Sequence, residues 1–328
     1  TPLTEQDILF GASHTHCGPG GFGPGLAARI TGGKYDPELV EMLAARFSEA
    51  IVEAYASMQP ARYAHDSVDA PQFIRNRARD AGVDSELSYL ALERDDGKKC
   101  FLVSFSAHPT NYDDDMLEFS AEYPGALMRT LEMESGAEVV YLGGALGSMG
   151  PRAPEAPTRE QRVEAMGAGL ARLLLADAAQ LAPENYTETA DVASLGTALG
   201  MPPVQMRPLS TKWRLSPFVT KLLGNPPDGW IQGVRVGSVY LFGVPFDLSG
   251  ELSAEWKEWA RQMGIDLWAS GFCAAYCGYL SPDKYYNVEP LEYETGFMSW
   301  FGPNAEAYFT ALLRRTIAAL TPASPEAA

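Results

Sequence analysis

Apolar stretches of strand length recur along this chain, and a polar or glycine-rich turn and then a helical pattern follow them. Residues 138–142 lead into the small-residue turn 143–151, and the hairpin 231–244 leads into the polar run 245–251. Strands that alternate with helices build layered domains, and their sites lie where the strands end. The sequence therefore predicts an α/β fold with a layered mixed β-sheet core flanked by helices and an active site at the strand ends.

No internal repeat, low-complexity tract or linker divides the sequence, so residues 1–328 are predicted to form a single domain. Residues 181–227 are rich in proline and weakly periodic, and we interpret them as a lid or an insertion. Residues 321–328 are predicted to be a disordered tail. The pattern predicts helices near residues 37–58, 123–131, 158–179, 251–263 and 303–320, strands at 8–12, 138–142 and 265–272, and hairpins at 87–106 and 231–244.

Composition excludes several classes of function. The net charge of −17 argues against nucleic acid or an anionic membrane surface as a partner, because both require basic surfaces. Four scattered cysteines do not form a disulfide framework, and Cys273 and Cys277 lack the spacing of a metal knuckle. No stretch reaches the roughly 18 apolar residues of a spanning helix, and the polar start does not resemble a signal peptide.

Half of the histidines lie within three residues of each other, at His14 and His16, directly after the predicted strand 8–12. Alternation along a strand would send both rings to the same side. His108 follows another predicted strand, whereas His65 lies in an ordinary polar stretch. Imidazole is the commonest nitrogen ligand of transition metals, so these three histidines suggest a metal site, although most His-x-His pairs are solvated or structural.

A zinc site needs three or four nitrogen, oxygen or sulfur donors. Asp247 and Glu251, at the end of a hairpin, and Tyr276 and Tyr279 could complete such a set. Each is weak evidence alone, since an acid at a helix start is usually a cap and a tyrosine is usually a packing residue.

Two other motifs are poor matches to known sites. The spacing Gly18-x-Gly20-x-x-Gly23 formally fits a dinucleotide turn, but Pro19 and Pro24 interrupt it. The run 147–150 is not a nucleophile elbow, so a Ser-His-acid mechanism has little support.

The order of motifs along nearly the whole chain resembles the catalytic domain of the neutral/alkaline ceramidase family. The shared motifs are His-x-His-x-Gly-Pro-Gly-Gly, Asn-Arg, His-Pro-Thr, a glycine-rich turn ending in proline, Gly-x-Pro with an acid, Tyr-x-x-Tyr and Tyr-Glu. The resemblance implies a zinc-dependent amidohydrolase that cleaves the amide of an N-acyl substrate. By matching motif it implies zinc ligands at His14, His108, Asp247 and Tyr279, an oxyanion-stabilising His16, Arg77 near the reacting amide, and an active-site tyrosine at Tyr293.

The acidic ligand can be matched in two ways. A gapless match through residues 243–246 selects Asp247, whereas the local Gly-Glu pair selects Glu251. We favour Asp247 because it is expected at a strand end, and Glu251 is then a candidate proton shuttle.

The chain also departs from the family pattern. Where the family has a serine in Gly-Asp-x-Ser-Pro-Asn, this chain has Gly150, so the serine's role is either absent or moved to Ser148. Metal-activated water then becomes the better nucleophile. Relatives carry strands before the His-x-His motif and often a β-sandwich after the Tyr-Glu region, so we expect a fragment, a processed product or a partner chain or segment that supplies the missing strands.

The expected partner is a small-molecule or lipid N-acyl substrate, with peripheral membrane contact and without nucleic acid. The family suggests a secreted or periplasmic location. Two alternatives stay open: a binding or assembly protein with altered catalysis, and a hydrolase of N-acyl amino acids or peptides.

Overall fold

The computed structural model describes residues 1–112, 115–216, 218–220 and 228–322. Its helices are α1 (Leu26–Gly32), α2 (Pro37–Ala56), α3 (Glu122–Ser135), α4 (Arg159–Ala178), α5 (Gly250–Arg261) and α6 (Ala305–Leu320). Its strands are β1 (Ala61–Asp69), β2 (Ile74–Asn76), β3 (Glu86–Arg94), β4 (Lys99–Phe105), β5 (Glu138–Gly143), β6 (Met149–Pro151), β7 (Val192–Leu199), β8 (Gly229–Val236), β9 (Val239–Gly243), β10 (Asp247–Leu248), β11 (Asp266–Ser270) and β12 (Tyr279–Leu280). The predicted α/β class is confirmed.

Two four-stranded sheets share the same connectivity. The first has the strand order β1-β3-β4-β5, and the second has the strand order β7-β8-β9-β11. In each sheet three antiparallel strands are followed by a helix, a parallel strand and a further helix. The topology therefore repeats, although the sequence shows no repeat.

Local signals in the sequence account for the element boundaries. The Asp36 carboxylate accepts hydrogen bonds from two backbone N–H groups of α2, and Pro37 occupies its first turn. The Thr158 hydroxyl caps α4 by accepting from the Gln161 N–H. Gly97 has a φ of +83° in the turn between β3 and β4, a conformation that glycine adopts without strain.

Alternation along the strands divides the molecule into four layers. In β3, Leu87, Tyr89 and Ala91 belong to the apolar cluster that contains α3 and α4, whereas Leu90 points to the opposite face. In β9 the alternation is the same, and Phe242 packs in the cluster that contains α5 and α6. The layers are thus helices, first sheet, second sheet and helices.

A smaller cluster joins the two sheets. It consists of Leu90 and Leu142 from the first sheet and Val239, Leu241 and Trp268 from the second. All five side chains are buried, and Trp268 is only 1% exposed. This packing fixes where the ends of β4 and β9 lie relative to each other.

The prediction of a strand at residues 8–12 is wrong. This segment makes a single isolated bridge, between Gly11 and Cys273, and Phe10 accepts a hydrogen bond from the Ala274 N–H. It contacts the loop after β11 instead of pairing along an edge strand, so strand alternation does not orient the histidines that follow it.

Helix α2 begins at the predicted residue and ends two residues before the predicted end, yet none of its residues is buried. The predicted lid or insertion at residues 181–227 includes β7, which is the edge strand of the second sheet. Residues 217 and 221–227 of this stretch lie outside the described residues, and so do residues 323–328 of the predicted tail. None of the helices in the described ranges is both long and apolar enough to cross a membrane.

A buried polar network connects the two halves. The Asp84 carboxylate accepts from the Lys257 ammonium at 2.7 Å, from the Ser253 hydroxyl at 2.8 Å and from the Ser106 hydroxyl at 2.9 Å. Ser106 follows β4, whereas Ser253 and Lys257 lie on α5. The Ser106 oxygen also accepts from the Ala145 N–H after β5. The network therefore ties the end of β4 to the first helical turns after Asp247.

We expect Asp84→Ala to lower the free energy of unfolding by about 3 to 5 kcal/mol, because it leaves the buried Lys257 ammonium without its main partner. Asp95→Ala, in the exposed turn after β3, should change it by less than about 0.5 kcal/mol. Urea unfolding followed by circular dichroism measures both. Equal stability of the two variants would show that the network does not hold the halves together.

Candidate metal centre

Three imidazole rings converge at the strand ends. The Nε2 atom of His16 lies 3.1 Å from Nε2 of His14 and 3.0 Å from Nε2 of His108. His14 and His16 come from the turn after the N-terminal segment, and His108 comes three residues after β4. A potential ligand atom from each ring lies within 4.8 Å of the others, so the three residues could hold a metal ion. They form the only such group within the described ranges.

His14 is held by its backbone and by stacking. Its φ of +59° places it in the left-handed region, which turns the chain sharply and brings two histidines to one point. Its ring stacks on Phe272 at 3.7 Å, and Phe272 stacks in turn on Tyr276 at 5.4 Å. The loop after β11 thereby positions a histidine from the opposite end of the sequence.

The structure fixes the tautomer of His108 through one hydrogen bond. Its Nδ1–H donates to the Leu146 carbonyl oxygen at 3.1 Å, which leaves Nε2 with a free lone pair facing the other rings. Burial, together with the nearby Arg77 guanidinium, lowers the pKa of His108, and burial lowers the pKa of His14 to about 3. Both rings are therefore neutral at physiological pH, which is the form that binds metals.

Asp247 and Tyr279 lie opposite each other. They are paired residues of the short parallel strands β10 and β12. Asp247 is completely buried, and no well-aligned hydrogen bond reaches either of its carboxylate oxygens among the described residues, although the Tyr279 hydroxyl lies close enough to lower its pKa. Its Oδ2 atom lies 4.0 Å from Nδ1 of His108, and burial raises the pKa of Asp247 to about 8. Arg77 and Tyr279 offset only part of the cost of burying this carboxylate, and a bound cation would offset more of it.

Arg77 and Tyr293 form the next layer around these groups. The Arg77 guanidinium donates to the Tyr279 hydroxyl at 3.2 Å and to the Gly147 carbonyl at 3.0 Å. The Tyr293 ring lies 5.9 Å from the guanidinium carbon and 5.9 Å from the Tyr279 ring. Tyr293 is 43% exposed, so it borders solvent while Tyr279 is buried.

Glu251 and Ser148 lie in other hydrogen-bond networks. Glu251 accepts from Asn76 at 2.7 Å and forms an ion pair with Arg79. The fully buried Ser148 hydroxyl lies 3.0 Å from that of Ser249 and accepts from the Gly250 N–H. Neither residue belongs to the three-histidine group.

Arg79 is a buried residue that the sequence interpretation missed. Besides Glu251 it binds Glu292 at 2.6 Å and Glu294 at 2.7 Å, and the Tyr285 ring covers its guanidinium carbon at 4.1 Å. Arg79 lies two residues after the Asn-Arg motif, and Glu294 belongs to the Tyr-Glu motif. Only the fold shows that the two motifs meet through this ion-pair cluster.

Gly150 occupies the position where the resembling family has a serine. A Cβ atom at Gly150 would lie 3.2 Å from Cβ of Arg77 and 3.5 Å from its Cδ atom. A side chain at this position would crowd Arg77, so the glycine permits the close approach of the two residues.

Sequence comparison yields neither a matching family model nor a matching curated protein. Structure comparison does find similar folds. The neutral ceramidase from Pseudomonas aeruginosa matches with a TM-score of 0.80 and 19% identity, and the match covers 98% of this chain and 62% of that one. A ceramidase complexed with C2 matches with a TM-score of 0.80 and 18% identity, over 97% of this chain and 62% of that one. This chain thus spans less than two thirds of those proteins, and the expected resemblance to neutral ceramidases is confirmed at the level of the fold.

Proposed function

We propose that this chain is a metal-dependent amidohydrolase that cleaves an N-acyl amide. The observation that carries the proposal is the convergence of three Nε2 atoms, from His14, His16 and His108, with the buried carboxylate of Asp247 4.0 Å from the Nδ1 atom of His108. The shared fold with neutral ceramidase structures supports this class of reaction.

Zinc is the proposed ion, and His14, His108, Asp247 and Tyr279 are its proposed ligands. Nitrogen and oxygen donors in a partly buried site are the set that zinc prefers. When bound, zinc lowers the pKa of a coordinated water to about 7 and polarises a carbonyl oxygen. The short distances from His16 to both other rings make it either a further ligand or the donor to the oxyanion, and the two roles predict different results below.

The residues around the histidines have distinct proposed tasks. The Arg77 guanidinium is held by Gly147 and Tyr279, so its remaining N–H groups are preorganised to donate to the developing oxyanion. Tyr293, which is half exposed beside Arg77, is placed to donate from its hydroxyl to the substrate. Both groups need no reorientation once the substrate carbonyl lies between them and the histidines.

The structure favours water over Ser148 as the nucleophile. The Ser148 hydroxyl is buried and occupied by Ser249 and the Gly250 N–H, and Gly150 offers no hydroxyl beside Arg77. Glu251 is bound by Asn76 and Arg79, so we assign it to positioning the loop that carries Arg77 instead of to proton transfer.

The proposed substrate class is a lipid N-acyl amide, with a ceramide as the first candidate. We choose this class because the similar structures are those of ceramidases. The groups at the site itself could act on any linear amide. Acyl-chain preference is therefore the property to measure first.

Metal binding tests the ligand set. We expect His108→Ala to lower zinc affinity by at least about 100-fold, because losing a direct ligand costs more than losing its hydrogen-bond partner. His65→Ala is the matched control, since His65 binds Asp266 and Ser238 away from the site. Titration with a zinc-competing chromophore measures the affinities.

His16→Ala then separates the two roles of His16. Loss of metal comparable to that in His108→Ala identifies a ligand, whereas full metal content with slowed turnover identifies a donor to the oxyanion. If His108→Ala and His65→Ala bind zinc equally, the proposed centre is wrong.

Hydrolysis tests the reaction. We expect Arg77→Gln to lower kcat by about 100- to 1000-fold with zinc still bound, as for the removal of one oxyanion donor. Arg75→Gln is the matched control, because Arg75 is exposed on strand β2, two residues before Arg77. The assay is amine release from N-acyl sphingosines and N-acyl amino acids of graded chain length. If the zinc-loaded wild type hydrolyses no N-acyl amide, the proposed reaction is wrong and the alternative of a binding protein is favoured. If it hydrolyses amides without a preference for long acyl chains, it is not a ceramidase.

A further inference from the structure

The charge of this acidic chain is unevenly distributed. Between Asp191 and Asp228 the sequence has no acidic residue, although the whole chain has 42. The same stretch has four basic residues, namely Arg207, Lys212, Arg214 and Lys221. Within the described residues, Lys212 and Arg214 are exposed and form no ion pair within 4 Å, although Glu289, which Thr211 binds, lies near Lys212. The overall charge of −17 therefore hides a local basic surface.

Large apolar side chains are interspersed with these charges. Leu209 is 83% exposed, Trp213 is 71% exposed and Phe218 is 76% exposed. We call residues 205–216 together with 218–219 the rim segment. A tryptophan and aliphatic or phenyl groups beside lysine and arginine are the composition of surfaces that lie at a membrane interface.

The rim segment is attached to the wall of the proposed active site. The Arg207 guanidinium donates to the Asn287 side chain at 3.1 Å, and the Thr211 N–H donates to Glu289 at 2.7 Å. The Gln205 N–H donates to the Trp300 carbonyl at 2.6 Å. The loop between Asn287 and Trp300 contains Tyr293, which borders solvent beside Arg77. The rim segment thus lies against the loop that forms the exposed side of the site.

We propose that the rim segment docks on a lipid bilayer that contains anionic headgroups. Lys212 and Arg214 would be attracted to the headgroups, and Leu209, Trp213 and Phe218 would enter the interface. The proposal rests on the proposed function, because it assigns a lipid as the substrate and a bilayer as its source. It replaces the expectation, drawn from the net charge, that an anionic membrane is not a partner.

Two features select a bilayer over an acidic protein. Along the sequence, Lys212 and Arg214 flank Trp213 directly, which is the mixture of basic and aromatic side chains found in segments that lie at a membrane interface. Another segment with exposed apolar side chains contains Leu117 and Phe119, which are 92% and 79% exposed, but it carries the acidic residues Asp115 and Glu118. Electrostatic attraction is therefore concentrated at the rim segment.

Vesicle binding tests the proposal without any catalysis. Sedimentation would compare zinc-loaded protein on phosphatidylcholine vesicles with and without phosphatidylserine. We expect phosphatidylserine to strengthen binding, and the double variant Lys212→Gln/Arg214→Gln to weaken it by roughly fivefold per lost charge. The matched control is Lys98→Gln/Lys99→Gln, which removes the same number of charges at the start of β4, where Lys99 pairs with Glu93, at the opposite end of that strand from His108. High salt should abolish the difference.

Trp213 gives a second readout. Brominated lipids should quench the wild type more than Trp213→Phe when both are bound, because Trp213 would be in contact with the interface. Hydrolysis of a soluble short-chain amide should be the same in all these proteins, since none of the changed residues touches the site.

The outcomes separate the two proposals. The docking proposal is wrong if the rim and control variants bind vesicles equally. It is also wrong if the wild type does not bind phosphatidylserine vesicles, or if it binds polyglutamate in place of vesicles. Rim-dependent vesicle binding without hydrolysis of any amide would support docking and refute the proposed function.

Discussion

The Asp84 network is the interaction on which the geometry of the site most directly depends. It joins Ser106, two residues before His108, to Ser253 and Lys257 on the helix that starts just after Asp247. A charge pair buried this deeply contributes little net stability compared with apolar packing, but it is costly to break. Its effect is therefore on position: the carboxylate has strong partners in only one arrangement of the two halves.

The repeated topology explains why the two halves supply corresponding residues. His108 follows β4 and Asp247 follows β9, which are the third antiparallel strands of their sheets. The inter-sheet cluster around Trp268 aligns those strand ends, and loops from both halves then meet at one point. The N-terminal segment lies across this junction, so His14 contacts both His108, which follows the first sheet's β4, and Phe272, which follows the second sheet's β11.

Local patterns predicted much of this fold. The two hairpins, α3, α4, α5 and α6 follow from alternation, turn glycines and caps, because these signals lie within a few residues of each other. The strand at residues 8–12 was wrong since an apolar stretch cannot reveal whether a sheet edge is available to it. The division into two stacked sheets was also beyond local patterns, because it depends on contacts such as that of Leu90 with the second sheet.

The sequence predicted the members of the site less completely than it predicted the helices and hairpins. The proximity of His14, His16 and His108 followed from histidines placed after apolar stretches, although the turn at His14 and not strand alternation brings the rings together. Arg79 could not be found in this way, because its partners lie more than 170 residues away in the sequence. The placement of Glu251 depends on the same cluster. An acid near a helix start looks identical in sequence whether it binds a metal, transfers a proton or pairs with an arginine.

The charges around the three histidines favour a divalent ion over an uncharged ligand. Glu251, Glu292 and Glu294 pair with Arg79, whereas the buried carboxylate of Asp247 lies near the Arg77 guanidinium. Burial disfavours the charged form of Asp247 and raises its pKa, and Arg77 offsets only part of this effect. A divalent cation near Asp247 would balance the charge and restore the ionised carboxylate. The three imidazoles could hold a metal ion, and the proposed function requires that one cation serve both these rings and Asp247.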